Sequence, residues 1–155
     1  MAVQKATSQK KSRSPRIAVI VADFSANVSE RLLKGCLQEL RAQGIPGRNW
    51  RVIHVPGAFE LPLIALKFAQ KKDIDAVICL GAVIRGETYH FELVADNCAR
   101  GILEASLRTG KPVIFGVLST DTEEQALQRS NETGDHKGKD AVQAVLEMLK
   151  LLDNL

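Results

Sequence analysis

Apolar residues form two alternating patterns along the chain. Short continuous runs rich in β-branched residues predict strands that are covered on both faces, and they lie at 16–22, 50–55, 76–84 and 113–118. Between these runs apolar residues recur at helical spacing, which predicts helices at about 27–43, 61–71, 91–108, 122–129 and 140–152. This alternation is typical of right-handed βαβ units. We therefore expect an α/β fold, a three-layer αβα sandwich of flavodoxin-like type with a four-stranded parallel sheet.

Local signals predict where the first and last helices begin and end. Asn27 lies three residues before Glu30, which predicts a helix capped by the Asn27 side chain, and Gly44 ends that helix. Residues 130–137 are polar and contain a glycine, which predicts a loop, with the closing helix beginning at Asp140.

The composition indicates a soluble globular protein. The chain has 155 residues, of which 45% are hydrophobic and 25% charged, ordinary values for one domain. No apolar run reaches the ~20 residues of a membrane helix. The three cysteines are odd in number, far apart and outside any C-x-x-C pattern, which argues against a disulfide scaffold or a zinc site. We expect a cytoplasmic protein.

The net charge of +3 comes from the N-terminal segment. Residues 1–16 carry five lysines and arginines and no acid, so the rest of the chain, with 16 basic and 18 acidic residues, is net −2. A polar segment of this composition is expected to be flexible. We predict a basic tail at 1–15 and one domain at 16–155, with no nucleic-acid partner, because the folded part lacks a basic face with stacking aromatics.

Ligands of such folds bind at the carboxyl ends of the strands, and the first two strand ends carry candidate residues. Phe24 follows the first strand, where its ring either stacks on a flat heterocycle or caps the core. No G-x-G-x-x-G motif follows that strand, which argues against a dinucleotide. After the second strand, Ala58 to Glu60 offer backbone donors at a helix N-terminus. Glu60 alternatively complements the helix dipole.

The third strand end carries a histidine at the start of a helix. The helix N-terminus disfavours the imidazolium, which leaves His90 able to take or give a proton. Glu87 and Thr88 lie in the preceding turn, whose backbone amides can bind an anion. A lone histidine is otherwise a structural residue.

The fourth strand end carries cations around a glycine-containing loop. Arg129 and Lys137 flank this loop and can hold a phosphate, or they form a solvated charged face. His54 and His136 have no partners at metal-ligand spacing, so neither is expected to bind a metal.

These segments together resemble the 6,7-dimethyl-8-ribityllumazine synthase family. The resemblance extends from about residue 16 to the C-terminus, and three motifs with Arg129 carry it: Val55-Pro-Gly-Ala-Phe-Glu60, Gly81-Ala-Val-Ile-Arg-Gly-Glu-Thr-Tyr-His-Phe-Glu92 and Phe115-Gly-Val-Leu-Ser-Thr-Asp-Thr-Glu-Glu-Gln-Ala126. It implies condensation of 5-amino-6-(D-ribitylamino)uracil with 3,4-dihydroxy-2-butanone 4-phosphate, releasing phosphate and water, without a metal or an organic cofactor.

The resemblance also implies a role for each candidate residue. Those expected to hold the pyrimidine and its ribityl chain are Phe24 by stacking, Ala58, Phe59 and Glu60, the backbone of Ala82, Val83 and Ile84, and Phe115, which closes the pocket. Those expected to hold the phosphate of the ketone are Glu87, Thr88 and Arg129. His90 is expected to transfer protons.

The sequence departs from the family pattern in the segment after Arg129. The family often has Ala-Gly-Thr-Lys-Ala-Gly-Asn-Lys-Gly there, and this chain has Ser-Asn-Glu-Thr-Gly-Asp-His-Lys-Gly at 130–138. Lys137 therefore matches, and Thr133 stands at the position of the earlier lysine. Lys137 is a supporting candidate for the phosphate.

The resemblance implies a homo-oligomer with its active sites between neighbouring subunits. Members of the family form pentamers, and some build hollow icosahedral shells of sixty subunits, with riboflavin synthase as a further candidate partner. In shell-forming members the N-terminal segment can add a strand to a neighbouring subunit's sheet. The polar segment of this chain contains Pro15 and is a poor strand, which favours a free pentamer. The alternatives are an archaeal-type riboflavin synthase, a non-catalytic module that binds a flavin or lumazine, and a structural shell protein.

Overall fold

The computed structural model describes residues 13–155, and it contains a single sheet between two layers of helices. The strands are β1 (Ile17–Ala22), β2 (Trp50–Val55), β3 (Ala76–Ile84) and β4 (Val113–Thr120). The α-helices are α1 (Ala26–Ala42), α2 (Leu61–Ala69), α3 (His90–Thr109), α4 (Glu123–Gln128) and α5 (Lys137–Asp153). Two short 3-10 helices, at Gly47–Asn49 and Ala58–Glu60, lead into β2 and α2.

The sheet is parallel throughout, with the strand order β2-β1-β3-β4. The chain therefore moves from β1 outward to β2 and then crosses to the other side of β1. This reversal leaves a crevice between the carboxyl ends of β1 and β3, where open α/β sheets bind their ligands. The predicted α/β, flavodoxin-like fold is confirmed.

The strands are apolar runs because helices cover both faces of the sheet. Every residue of β1 is buried, and alternate residues serve the two faces. On one face Val19 packs in a core with residues of α1 and α5, and on the other Ile20 packs in a core with residues of α2 and α3. Packing of these two cores against the sheet keeps the carboxyl ends of the strands, where the candidate residues lie, in fixed positions.

The start of α1 differs from the prediction. The helix begins at Ala26, its N-cap Ser25 has a left-handed backbone and makes no capping bond, and the predicted Asn27 cap is wrong. The Asn27 amide instead donates a hydrogen bond to Glu123 at the start of α4. The Asn27 side chain therefore bonds the distant Glu123 carboxylate instead of the backbone at the start of α1.

The end of the tail is attached to the folded unit. The Arg13 guanidinium forms a two-point ion pair with Asp75, at 2.9 and 3.1 Å, and Asn49 donates to the carbonyl of Ser14. The rest of the predicted tail, residues 1–12, lies outside the described residues.

A glycine contact between α2 and α3 gives a test of this packing. A Cβ at Gly101 would lie 2.6 Å from Cβ of Pro62, whose ring cannot turn aside. We expect Gly101→Ala to lower the free energy of unfolding by about 1–3 kcal/mol, the cost of overpacking. Urea unfolding at one fixed protein concentration measures it.

Gly47→Ala is the matched control, because a Cβ there meets Trp50 at an ordinary 3.8 Å. Equal urea midpoints for Gly101→Ala and the wild-type protein would show that α2 and α3 are not packed this closely.

Candidate active site

The edge of β3 is open where the sheet reaches its carboxyl end. Pairing between β1 and β3 stops at Val21 and Leu80, whereas β3 continues in register with β4 as far as Ile84 and Thr120. Residues Ala82 to Ile84 therefore have a strand partner on one side only. Backbone N–H and C=O groups on the other side can bind a planar ligand as they would bind a strand.

Two exposed aromatic rings stand next to this open edge. Phe24 is 75% exposed and Phe59 is 58% exposed, so neither ring caps the core. The backbone N–H of Phe24 donates to the carbonyl of Pro56 at 3.0 Å, and that of Asp23 donates to Val55 at 2.8 Å. These bonds extend the β1–β2 pairing and fix Phe24 beside the turn after β2.

Gly57 brings the second candidate segment close to Phe24. A Cβ at Gly57 would lie 3.2 Å from the Glu60 carboxylate and 3.9 Å from Cβ of Phe24. The small residue thus lets the Glu60 side chain fold back over the turn. Ala58 is buried and anchors the 3-10 helix that leads into α2. Glu60 directly precedes α2, so its carboxylate also suits the positive end of that helix.

The turn after β3 is exposed and ends in His90. Gly86, Glu87, Thr88 and Tyr89 are all exposed, and His90 is the first residue of α3. The His90 backbone N–H donates to the Thr88 hydroxyl at 3.4 Å, which closes the turn. Because the His90 side chain is not part of the core, it can reach a ligand at the end of β3.

Arg85 connects this turn to the end of β4, a role that local sequence patterns do not predict. Its Nε donates to Asp121 at 2.7 Å, its guanidinium also bonds Glu92 in the first turn of α3, and it lies 4.3 Å above the ring of Phe91. The bonds to Asp121 and then Glu92 raise the pKa of Arg85, and the bond from Arg85 lowers the pKa of Glu92.

This network fixes the direction of α3 and therefore the place of His90. The Arg85 backbone N–H donates to the carbonyl of Thr120 at 2.9 Å, so β3 and β4 stay paired up to the turn. An arginine directly after a buried strand, with an acid in the first turn of the next helix, is the sequence signal for this ion pair.

Phe115, expected at the pyrimidine, and Arg129, expected at the phosphate, come together beside β4 without Glu87 and Thr88. Phe115 and Arg129 line two adjoining grooves, of about 440 and 410 Å³. Lys137 and Asp140 line the first groove, and Arg85 lines the second. Phe115 is 44% exposed, and its ring is an apolar part of the first groove, which Arg129 and Lys137 also line.

Arg129 and Lys137 are linked through the backbone. The Lys137 N–H donates to the carbonyl of Arg129 at 2.9 Å, and Lys137 Nζ lies 3.4 Å from the Asp140 carboxylate. The guanidinium of Arg129 donates to the carbonyl of Gln125 at 3.0 Å. Both cations line the first groove, which suits a phosphate. Thr133 adds no charge and contacts Asn131 in the loop.

One chain therefore holds two separate groups of candidate residues. The first group follows β1, β2 and β3 and includes Phe24 and His90. The second group lies along and after β4: Phe115 is the third residue of that strand and pairs with Cys79, and Arg129 and Lys137 come later in the chain. Neither groove is lined by Phe24 or His90.

The cysteines do not belong to either group. All three are buried, and burial raises the pKa of Cys36 and of Cys98 to about 12, so they are protonated thiols. Within residues 13–155, no three His, Cys, Asp or Glu side chains are grouped so that they could hold a metal ion. Over the same part of the chain no helix is long and apolar enough to cross a membrane.

Comparisons with known proteins assign the chain to a family. The family model described as 6,7-dimethyl-8-ribityllumazine synthase matches residues 14–153. A protein of that name from Protochlamydia amoebophila (strain UWE25) is 49% identical over 140 residues, which cover 90% of this chain and 81% of the relative.

Two further relatives carry the same name. The one from Desulfotalea psychrophila (strain LSv54 / DSM 12343) is 47% identical and covered over 94% of both chains. The one from Syntrophus aciditrophicus (strain SB) is 48% identical, over 88% of this chain and 89% of its own length. The chain therefore belongs to the 6,7-dimethyl-8-ribityllumazine synthase family, whose members are transferases of riboflavin biosynthesis.

Proposed function

We propose that the chain condenses 5-amino-6-(D-ribitylamino)uracil with 3,4-dihydroxy-2-butanone 4-phosphate to form 6,7-dimethyl-8-ribityllumazine. The observation that carries the proposal is the open edge of β3 from Ala82 to Ile84, with Phe24 exposed beside it. This edge suits a uracil, whose ring has alternating N–H and C=O groups in one plane. The names of the three relatives support the same product.

The pyrimidine binds at the crevice between β1 and β3. Its ring pairs with the backbone of Ala82, Val83 and Ile84, and Phe24 stacks on its face. The ribityl hydroxyls bind at the 3-10 helix formed by Ala58, Phe59 and Glu60. There the backbone donors of a helix start and the Glu60 carboxylate are available.

The phosphate of the ketone binds at Arg129, with Lys137 beside it and the turn at Glu87 and Thr88 opposite. Because the grooves around Arg129 and Phe115 are not lined by His90, the complete site combines two neighbouring copies of the chain. Exposed leucines on α3, Leu103 and Leu107, support association of copies. We infer a pentamer with active sites shared between neighbouring copies. The cytoplasmic location of the protein stays a prediction.

The reaction needs proton transfers, and the exposed position of His90 at the start of α3 supports a role for it in them. The amine of the pyrimidine attacks the ketone and loses water to form an imine, inorganic phosphate leaves, and ring closure with loss of a second water gives the lumazine. His90 takes and returns protons in these steps. Holding both substrates together supplies much of the rate, because effective molarities reach ~10⁵ M or more.

Product formation from defined substrates tests the proposal against its alternatives. We expect the chain to form the lumazine, followed by its absorbance, only when both substrates are present. Turnover of the lumazine alone into riboflavin would assign the chain to the archaeal-type riboflavin synthases. Binding of a lumazine analogue with no product from the two substrates would make it a binding module.

His90 carries the second prediction. We expect His90→Ala to lower kcat by about 10²–10⁴-fold, the usual contribution of a general acid or base, with both KM values little changed. Steady-state kinetics with each substrate varied measures this.

His54→Gln is the matched control for the loss of a histidine, because His54 lies exposed on the edge strand β2, where its ring bonds the exposed side chain of Asp23 at 2.6 Å. Its stability should change by no more than about 0.5 kcal/mol, as for surface substitutions, and its kcat should stay close to that of wild type because a glutamine can keep a hydrogen bond to Asp23. A wild-type kcat in His90→Ala would remove His90 from the chemistry.

Arg129 carries the third prediction. We expect Arg129→Ala to raise the KM of the phosphate ketone roughly 10- to 100-fold, which corresponds to losing a charge-assisted hydrogen bond of about 1.5–3 kcal/mol. The KM of the pyrimidine should change far less, because the pyrimidine contacts other strand ends.

Arg48→Ala controls for the loss of an exposed arginine. Arg48 lies just before β2, which is the edge strand on the other side of the sheet from β4. Equal increases in both KM values for Arg129→Ala would argue against a phosphate site there.

A further inference from the structure

His136 is buried although it lies between two exposed charged residues. Its side chain and backbone together are 4% exposed, whereas Asp135 and Lys137 on either side are exposed. The active-site chemistry described above makes no use of it. A buried polar ring in a surface segment costs free energy unless contacts compensate it, so its contacts indicate what it does.

Two glycines form the seat of the imidazole. A Cβ at Gly35 of α1 would lie 2.1 Å from Cε1 of His136, and one at Gly138 would lie 3.0 Å from the same atom. The ring therefore fills the space that a side chain at Gly35 would occupy, whereas at Gly138 the carbonyl oxygen of Leu32 on α1 is nearer, at 2.2 Å from the Cβ position. It joins the middle of α1 to the first turn of α5.

The ring also caps α5. Nδ1 of His136 accepts a hydrogen bond from the backbone N–H of Lys139 at 3.4 Å, and the His136 carbonyl accepts from Asp140 at 3.0 Å. An accepting Nδ1 carries no proton, so the ring is neutral with its proton on Nε2. The backbone of Arg31 on α1 also faces the ring and partly offsets the lowering of the His136 pKa.

The segment held by this ring carries both phosphate-binding candidates. Residues Ser130 and His136 form an antiparallel bridge, and the Lys137 N–H donates to the carbonyl of Arg129 at 2.9 Å. The Ser130 hydroxyl donates to the carbonyl of Ala126 at 3.0 Å, which joins the bridge to α4. If the ring left its seat, Arg129 and Lys137 would lose their common support.

We propose that His136 is a positioning residue, whose neutral imidazole, seated on Gly35 and Gly138, holds Arg129 and Lys137 in place for the phosphate of the ketone. The inference rests on the proposed function. It also identifies what this chain has in place of the asparagine of the usual family segment: a cap that fills the space beside α1 and can be protonated.

Protonation would remove the cap, because Nδ1 would then face the Lys139 N–H with a proton of its own. Loss of hydration on burial, followed by the charge of Lys139, lowers the pKa of His136 below the ordinary 6.5. The other charged groups around the segment are Arg31 and Lys34 on α1, Glu132 in the loop, paired with Lys34 at 2.6 Å, and Asp140 on α5.

The sign of the pH effect follows from the lowered pKa. A released His136 binds a proton more readily than the seated ring, so acid favours the released state. The seated state is fully favoured above pH 6.5 and is lost progressively as the pH falls below that value. An asparagine at this position caps a helix equally well and does not titrate.

Three variants test the positioning at pH 8. We expect His136→Ala to raise the KM of the phosphate ketone about tenfold, as a displaced positioning group does, with a much smaller change in the KM of the pyrimidine and in kcat. Gly35→Ala should act in the same direction, because its Cβ occupies the seat. His136→Asn should stay close to wild type.

Gly134→Ala is the matched control, since a Cβ there meets nothing within 4 Å. Unchanged KM values in both His136→Ala and Gly35→Ala, with product still formed, would overturn the inference. If His136→Ala does not fold, the comparison of His136→Asn with wild type across pH decides alone.

That comparison is the ratio of the wild-type KM of the phosphate ketone to the KM of His136→Asn, measured from pH 8 down to pH 5.5. The phosphate of the substrate titrates near pH ~6, but it does so equally for both proteins and cancels in the ratio. We expect the ratio to rise below pH 6.5, and a constant ratio would contradict the inference.

Failure of the proposed function has a different outcome. If wild type forms no lumazine, binding of inorganic phosphate, followed by calorimetry, still compares wild type, His136→Ala and Gly134→Ala. Weaker binding in His136→Ala alone would support the positioning, and equal binding in all three would overturn it.

Discussion

The backbone pairing of β3 differs on its two sides, and the site depends on this difference. Toward β1 the ladder ends at Leu80, and toward β4 it continues to Ile84. The last residues of β3 are therefore held rigidly by β4 while their other edge is free for a ligand. Gly81 permits the close approach at the fork, because a Cβ there would lie 3.1 Å from that of Ala22.

The chemistry attached to this edge depends on contacts that cross between elements. Arg85 joins the ends of β3 and β4 to the first turn of α3, and with it His90. His136 joins α1 to the start of α5, and with it Lys137 and Arg129. The ends of the strands supply the candidate residues, and the Arg85 and His136 side chains fix how the segments that carry them are oriented. Each is a polar group with several partners, as sites that need fixed geometry require.

Local sequence patterns predicted the strands well, because a strand covered on both faces must be a continuous apolar run. The candidate residues were found for a related reason, since parallel strands bring their carboxyl ends to one edge. Long-range contacts were not predictable in this way. Asn27 binds Glu123 instead of capping α1, and α5 begins three residues before the predicted Asp140 because the buried His136 caps it. Nothing in the local pattern distinguishes that histidine from its exposed neighbours.

The most direct measurement is a single turnover with the protein in excess over 5-amino-6-(D-ribitylamino)uracil and with the phosphate ketone saturating. Inorganic phosphate and lumazine are followed in the same reaction. If both substrates react at one site as proposed, one phosphate appears for each lumazine formed, and its release does not lag behind ring closure. Phosphate release without lumazine, or no reaction although the pyrimidine binds, would contradict the account.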